Sequence, residues 1–192
     1  TYRRYILRSA ATLFLTLCCG PAAGSDWGLR TGGLYGATEL ADGPGFGLSG
    51  FVRRPLSARY HIEFGGGYGR LRGAEYTSNL VVAEGRLLYA FVQKHIWRAH
   101  LFAGAGALRY NLADSPPQTT PDAAATGWAA TAPVGVGFQL PFGLDRRLDL
   151  DLGYTYTLRD DINRAILEKG NDGYWSLTVG LVFCSADHAP AP

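Results

Sequence analysis

Residues 148–158 read LDLDLGYTYTL. Every second residue is a leucine or tyrosine: Leu148, Leu150, Leu152, Tyr154, Tyr156 and Leu158, with Asp149, Asp151, Gly153, Thr155 and Thr157 between them. Side chains of an extended strand point alternately to its two faces, so the first set shares one face and the second set the other. On a helix a step of two residues turns a side chain by about 200°, which would scatter the same apolar groups around the axis. The segment is therefore read as a strand with one oily and one wet face. Whether the oily face meets a protein core or lipid decides the fold.

The alternation recurs between turn signals at about 27–39, 46–56, 60–73, 79–92, 99–112, 131–142, 147–159 and 173–183. An even number of antiparallel strands of roughly ten residues or more is the pattern of a transmembrane barrel. The connections add a second rhythm. LSAR, QKHIWR and GLDRR are short, whereas GAEYTSN, ADSPPQTTPDAAATGWAAT and DDINRAILEKGND are longer and more polar; the first connection, ADGPG, is short where a long one is expected. Tight turns at one rim and long loops at the other characterise such barrels, and a β-sandwich or lipocalin-like soluble barrel does not require them.

Parity assigns the faces. In the last strand Trp175, Leu177, Val179, Leu181 and Phe183 oppose Tyr174, Ser176, Thr178 and Gly180; in the sixth Val134, Val136, Phe138, Leu140 and Phe142 oppose Gly135, Gly137 and Gln139. The third sets Tyr60, Ile62, Phe64 and Tyr68 against His61, Glu63, Gly65, Gly67 and Gly69, and the fourth sets Val81, Leu87, Tyr89 and Phe91 against Glu84 and Arg86. The fifth, HLFAGAGALRY, is ambiguous. Lysine occurs only at Lys94 and Lys169, and polar faces built of glycine with a few charges suit a narrow interior better than a solvated exterior.

No run of about 18 apolar residues is present, so a membrane reading must be a barrel. Residues 1–24 have the make-up of a secretory signal peptide: Arg3, Arg4 and Arg8, the apolar SAATLFLTLCC, and the small residues Ala22 to Gly24 before a cleavage point. Cys18 and Cys19 invite a lipoprotein reading, but Leu17 or Cys18 stands where such signals want a small residue. Beyond the leader only Cys184 remains, which leaves no intramolecular disulfide. Removing the leader's three arginines from a net charge of +2 leaves −1, so no basic surface argues for nucleic acid.

On this evidence residues 25–183 resemble the small eight-stranded outer-membrane β-barrel family typified by the barrel domain of outer membrane protein A. The match rests on LDLDLGYTYTLRDDIN followed by NDGYWSLTVGLVF, and on Gly180 and Phe183, which fall on the glycine and aromatic positions of the family's C-terminal assembly signal. The resemblance implies an all-β, antiparallel up-and-down transmembrane barrel in the outer membrane of a Gram-negative cell envelope, inserted by the barrel assembly machinery into outer-membrane lipid. Residues 184–192 are expected to form a short tail, and cell-wall anchoring through a peptidoglycan-binding domain is not carried over from the family.

The chemistry read from the sequence is sparse. A lipid-modifying enzyme on this fold needs a histidine beside a serine nucleophile and an orienting carboxylate, and neither His61, His95 nor His100 has a serine two residues on. No catalytic residue, cofactor or metal ligand is assigned. Asp160, Asp161, Asn163, Asn171 and Asp172 match no EF-hand spacing. Parity directs Arg30, His61, Glu63, Glu84, Arg86, Asp149 and Asp151 into the lumen as a cluster that fills it, with Arg53, Tyr174 or a threonine hydroxyl as further partners. Trp97, Tyr154, Tyr156 and Trp175 are candidate girdle aromatics. The expected function is a structural or adhesive one, exercised on an extracellular ligand through the loops; the alternatives are a porin-like small-solute channel and a lipid-modifying enzyme on the same fold.

Overall fold

The alternation of residues 148–158 becomes one of eight strands in the computed structural model, which describes residues 24–37, 42–73, 76–94, 96–114, 126–143, 145–158 and 172–184. Residues 1–23 with Cys18 and Cys19, residues 115–125 of the fifth connection, 159–171 of the seventh and those beyond Cys184 lie outside the described residues. The strands are β1 (Asp26–Ala37), β2 (Asp42–Pro55), β3 (Tyr60–Gly73), β4 (Thr77–Lys94), β5 (Trp97–Asp114), β6 (Thr126–Pro141), β7 (Arg146–Thr157) and β8 (Gly173–Phe183). Each pairs antiparallel with the next, and β8 pairs with β1 to close the barrel. Closure leaves no edge strand, so the ladder amides and carbonyls are paired within the wall, the condition for crossing a bilayer with strands.

The strand bounds follow the alternation to within about two residues except at two strand starts. β2 begins at Asp42 and β6 at Thr126, both ahead of the expected starts at 46 and 131. Ladder bonds need only backbone, so Gly43 pairs with Arg72, before a register shift at Phe46, and Thr126 pairs with Asn111 without any side-chain alternation to announce them. The expected long third connection shrinks likewise to residues 74–76, closed by a Gly73 N–H donating to the Tyr76 carbonyl at 2.9 Å. At the rim that carries the termini the turns are tight. Ser57 Oγ accepts from the Tyr60 amide at 3.2 Å, and Gly143, at φ 87°, takes the left-handed conformation that lets Phe142 N–H reach the Arg146 carbonyl at 2.9 Å.

The wall is apolar outside and charged inside. Leu29, Leu48, Phe64, Val81, Leu101, Val134, Leu152 and Leu177 are exposed, while Arg30, Arg53, Glu63, His100, Asp149 and Asp151 are buried. That inverts a water-soluble protein, and an exposed apolar band around a closed barrel is a lipid-facing surface. β5 resolves its ambiguity by sending His100, Phe102, Leu108, Tyr110 and Leu112 inward and Leu101 and Arg109 outward. Some of the interior is oily too. Leu34, Leu71, Leu80, Leu108, Tyr110 and Tyr174 form a buried apolar cluster, and along β1, β3, β4 and β5 it lies on the side of the charges away from the termini.

Aromatic pairs flank the apolar band. Near the terminal rim Trp27 stacks on Phe183 at 4.2 Å, Tyr60 meets Tyr89 at 5.1 Å and Trp97 meets Phe138 at 6.1 Å; near the opposite rim Tyr154 packs on Trp175 at 5.0 Å and Phe46 on Tyr68 at 6.2 Å. Tyr156 and Trp128 are exposed on that same side. Of the four aromatics singled out in the sequence, Trp97 is therefore at one rim and Tyr154, Tyr156 and Trp175 at the other.

Trp27 and Phe183 are register partners across the β1–β8 seam, the pairing that closes the barrel. Stacked pairs contribute about 0.5–1.5 kcal/mol beyond their buried area. A double-mutant cycle on Trp27→Ala and Phe183→Ala, read by urea unfolding in lipid vesicles, is expected to give a coupling energy in that range; strictly additive losses would show that the stack does not hold the seam.

Candidate functional site

The inward charges meet because strand register brings some of them side by side and glycines open the way for the rest. Glu63 on β3 is the direct cross-strand partner of Arg53 on β2 and of Arg86 on β4. Arg30 on β1 and Asp149 on β7 are each paired with Gly180 of β8, which lies between them. A Cβ at Gly180 would stand 3.0 Å from the Arg30 Cβ and 3.5 Å from the Asp149 Cβ. Gly180, expected from the sequence to belong to an assembly signal, makes room here for the contact of Arg30 with Asp149.

Glu63 is the hub. Arg30 donates to it through both terminal nitrogens, Nη1 to Oε1 and Nη2 to Oε2, each at 3.0 Å. Arg53 donates to Oε2 from Nε at 3.0 Å and from Nη2 at 2.6 Å, and the same Nη2 donates to Asp149 Oδ2 at 2.8 Å. Arg30 also lies 3.5 Å from Asp149 Oδ2 and from Asp151 Oδ2. Arg86 pairs with Glu84 and lies 3.6 Å from Asp151 Oδ2. The planar forks of arginine let each guanidinium serve two carboxylates at once, which one lysine point charge does less well.

Ring faces complete the arginine environment. Arg30 lies over Phe51 at 4.1 Å, Arg53 over the same ring at 5.2 Å and Arg86 over Phe102 at 4.7 Å. Two buried phenylalanines therefore carry guanidiniums on their faces in a site with little water to compete.

The structure brings Arg30, Glu63, Glu84, Arg86, Asp149 and Asp151 into one network and leaves His61 out of it. His61 is half-buried, with its Nε2 3.3 Å from Arg98 Nη1. Both Glu63 oxygens are held by guanidiniums, so the shared face of His61 and Glu63 does not form an acid–base pair. Sequence reasoning missed Phe51, Phe102 and His100. The signal that could have found two of them is the parity of Gly104 and Gly106, which sit on the same face of β5 as His100 and Phe102. Beyond β8 the Cys184 thiol is half-buried, and burial, with Asp26 adding to it, pushes its pKa up.

Between the charges and the apolar cluster is a cavity of about 80 Å³, lined among others by Arg30, Glu84, Arg86, Leu34, Leu80 and Tyr174. At about 30 Å³ per molecule of liquid water it is of the size for a few waters. Arg30 Nε and Arg86 Nε are buried without a hydrogen-bond partner among the described residues and are the kind of group such waters serve.

Comparison with known proteins adds the family of shapes. No family model matches the chain and no curated protein matches it. Neisserial surface protein A matches at a TM-score of 0.63 with 13% identity, over 83% of this chain and 96% of that one. A major outer membrane protein of Thermus thermophilus matches at 0.57 with 12% identity, over 83% and 99%. The chain has the fold of the small eight-stranded outer-membrane β-barrels. The attachment invasion locus protein of Yersinia pestis, solved with the heparin analogue sucrose octasulfate, follows at 0.50 with 15% identity, over 83% and 99%.

Proposed function

We propose that this chain is a bacterial outer-membrane protein whose barrel is a filled, non-conducting anchor, and whose structural or adhesive role is exercised by the connections at the rim opposite its termini. The observation that carries the reading is the interior. An eight-stranded barrel is only just wide enough to be packed by its own side chains, and here arginine–carboxylate pairs fill one part of it and leucines and tyrosines another. A solute path would have to break pairs in which the Arg30, Arg53, Glu63 and Asp149 side chains are 4% exposed or less. The barrel then acts as a support, and the chemistry of recognition belongs to the loops, where variation costs the fold least.

Two measurements test this. Reconstituted in a planar bilayer, the folded monomer is expected to show no sustained ion current, and reproducible single-channel steps would put the channel reading in its place. β5 and β6 meet the fifth connection at the rim away from the termini, so with termini in the periplasm an epitope inserted near Thr119 is expected to be reached by antibody on intact cells. Labelling only after permeabilisation would overturn the orientation and, with it, a surface role for that loop.

A further inference from the structure

The buried network contains a convergence that its arginine–carboxylate pairs do not explain. His100 Nε2, Asp149 Oδ1 and Asp151 Oδ1 are all buried and find no hydrogen-bond partner among the described residues. The three residues bring one ligand atom each to within 4.8 Å of one another. The other oxygens of the two aspartates are engaged: Asp149 Oδ2 accepts from Arg53 at 2.8 Å, and Asp151 Oδ2 faces Arg30 at 3.5 Å and Arg86 at 3.6 Å. Each carboxylate is thus held by arginine through one oxygen; the other oxygen of Asp151 faces His100, and that of Asp149 has no hydrogen bond among the described residues. A buried polar atom without a hydrogen bond keeps its full desolvation cost, so the site favours a group that bonds to all three residues.

The geometry says what would relieve it. His100 Nε2 lies 3.3 Å from Asp151 Oδ1, an ion-pair distance. Donors 2.0–2.1 Å from a zinc ion at the tetrahedral angle stand about 3.4 Å apart, so the His100–Asp151 spacing fits an ion as it stands and Asp149, within 4.8 Å, closes on it by a side-chain rotation. Position 137 is built to permit this approach. Gly137 of β6 is the register partner of both His100 on β5 and Asp151 on β7, and a Cβ there would come within 2.2 Å of Asp151 Oδ1 and 2.4 Å of His100 Nε2. Only a residue without a side chain lets the two meet across the intervening strand. Charge points the same way: the network sets three guanidiniums against four carboxylates, and a cation offsets the excess.

We propose that His100, Asp149 and Asp151 form an interior binding site for a divalent transition-metal ion, with zinc(II) the ion suited to one imidazole nitrogen and two carboxylate oxygens. Arg30, Arg53 and Arg86 then orient the liganding carboxylates from behind, as outer-shell donors do at other metal sites. The ion would tie β5 to β7 across β6, with a fourth position left for water.

The test uses the full chain folded in detergent micelles, stripped with a chelator, equilibrated with zinc(II) and desalted. Elemental analysis is expected to find one zinc per folded chain, and zinc is expected to raise the unfolding midpoint in urea because it binds only the folded site. His100→Gln should weaken zinc binding by about tenfold or more and abolish the shift, while His61→Gln leaves both unchanged. Should His100→Gln fail to fold, the wild-type chain loaded with cobalt(II) still decides: a strong visible band of low-coordinate cobalt supports the site, and the weak spectrum of octahedral cobalt overturns it. Wild-type barrel that retains no zinc, or His100→Gln that retains as much as wild type, rejects the proposal. So does an imidazolium signal from His100 that zinc leaves unchanged, which would mean that a proton and not a metal joins it to Asp151.

Discussion

Glu63→Gln is expected to destabilise the folded barrel by about 3–5 kcal/mol, the range for removing one partner of a buried ionic network. The size follows from what Glu63 holds. Its two oxygens take four hydrogen bonds from Arg30 and Arg53, and Arg86 approaches Oε1 at 3.9 Å. A glutamine keeps the shape but offers one acceptor oxygen in place of two and no charge, and its amide N–H₂ faces guanidinium donors. Arg30 and Arg53 cannot escape to water, being 4% and 3% exposed. Glu84 provides the control. It pairs with Arg86 alone among the described contacts, and both side chains are 13% exposed, so Glu84→Gln should cost about 1–2 kcal/mol. Urea titration of vesicle-inserted protein, scored by heat-modifiable gel mobility, measures both. Equal losses would mean that Glu63 is not the hub.

Leu152→Arg is expected to cost about 2–4 kcal/mol near the bilayer midplane. Leu152 lies midway along β7, 47% exposed on the outer wall, where lipid replaces water as the neighbour of whatever is placed there. A guanidinium at that depth must lose its hydration or drag water and headgroups inward. Thr155→Ser, three residues on, should cost little, because Thr155 is buried on the inner face and serine retains the hydroxyl. The same unfolding assay compares the pair. If both are tolerated alike, or the serine is the worse of the two, the inner and outer faces are reversed.

Much of this was legible in the chain because a strand's period is fixed in sequence: a residue two places on points the same way. Residues 148–158 therefore separated Asp149 and Asp151 from Leu150 and Leu152 before any partner was known, and the same parity placed Arg30, Glu63, Glu84 and Arg86 together on inward faces. Where contrast between faces is missing, parity is silent. β5 carries Phe102 and Leu108 inward and Leu101 outward, so both faces read as oily, and His100 and the guanidinium-bearing ring of Phe102 were passed over with them. The inward leucines at positions 34, 71, 80 and 108 were hidden by the opposite assumption, that apolar means lipid. A narrow interior must be filled, and away from the charges leucine fills it without needing a partner.

What no reading of a single strand could decide is which inward residues meet. Parity tells only that His61 and Glu63 face the lumen; the register of closure sets Glu63 between Arg53 and Arg86 and His61 beside Arg98. Likewise Gly180 and Gly137 look alike in sequence, two small residues in apolar strands. Only the closed barrel gives each its neighbours, Arg30 and Asp149 across one, His100 and Asp151 across the other. The alternation along a strand is a local property of extended backbone. Contacts across a lumen depend on how eight such strands are staggered as they close, and that stagger is set by all of them together.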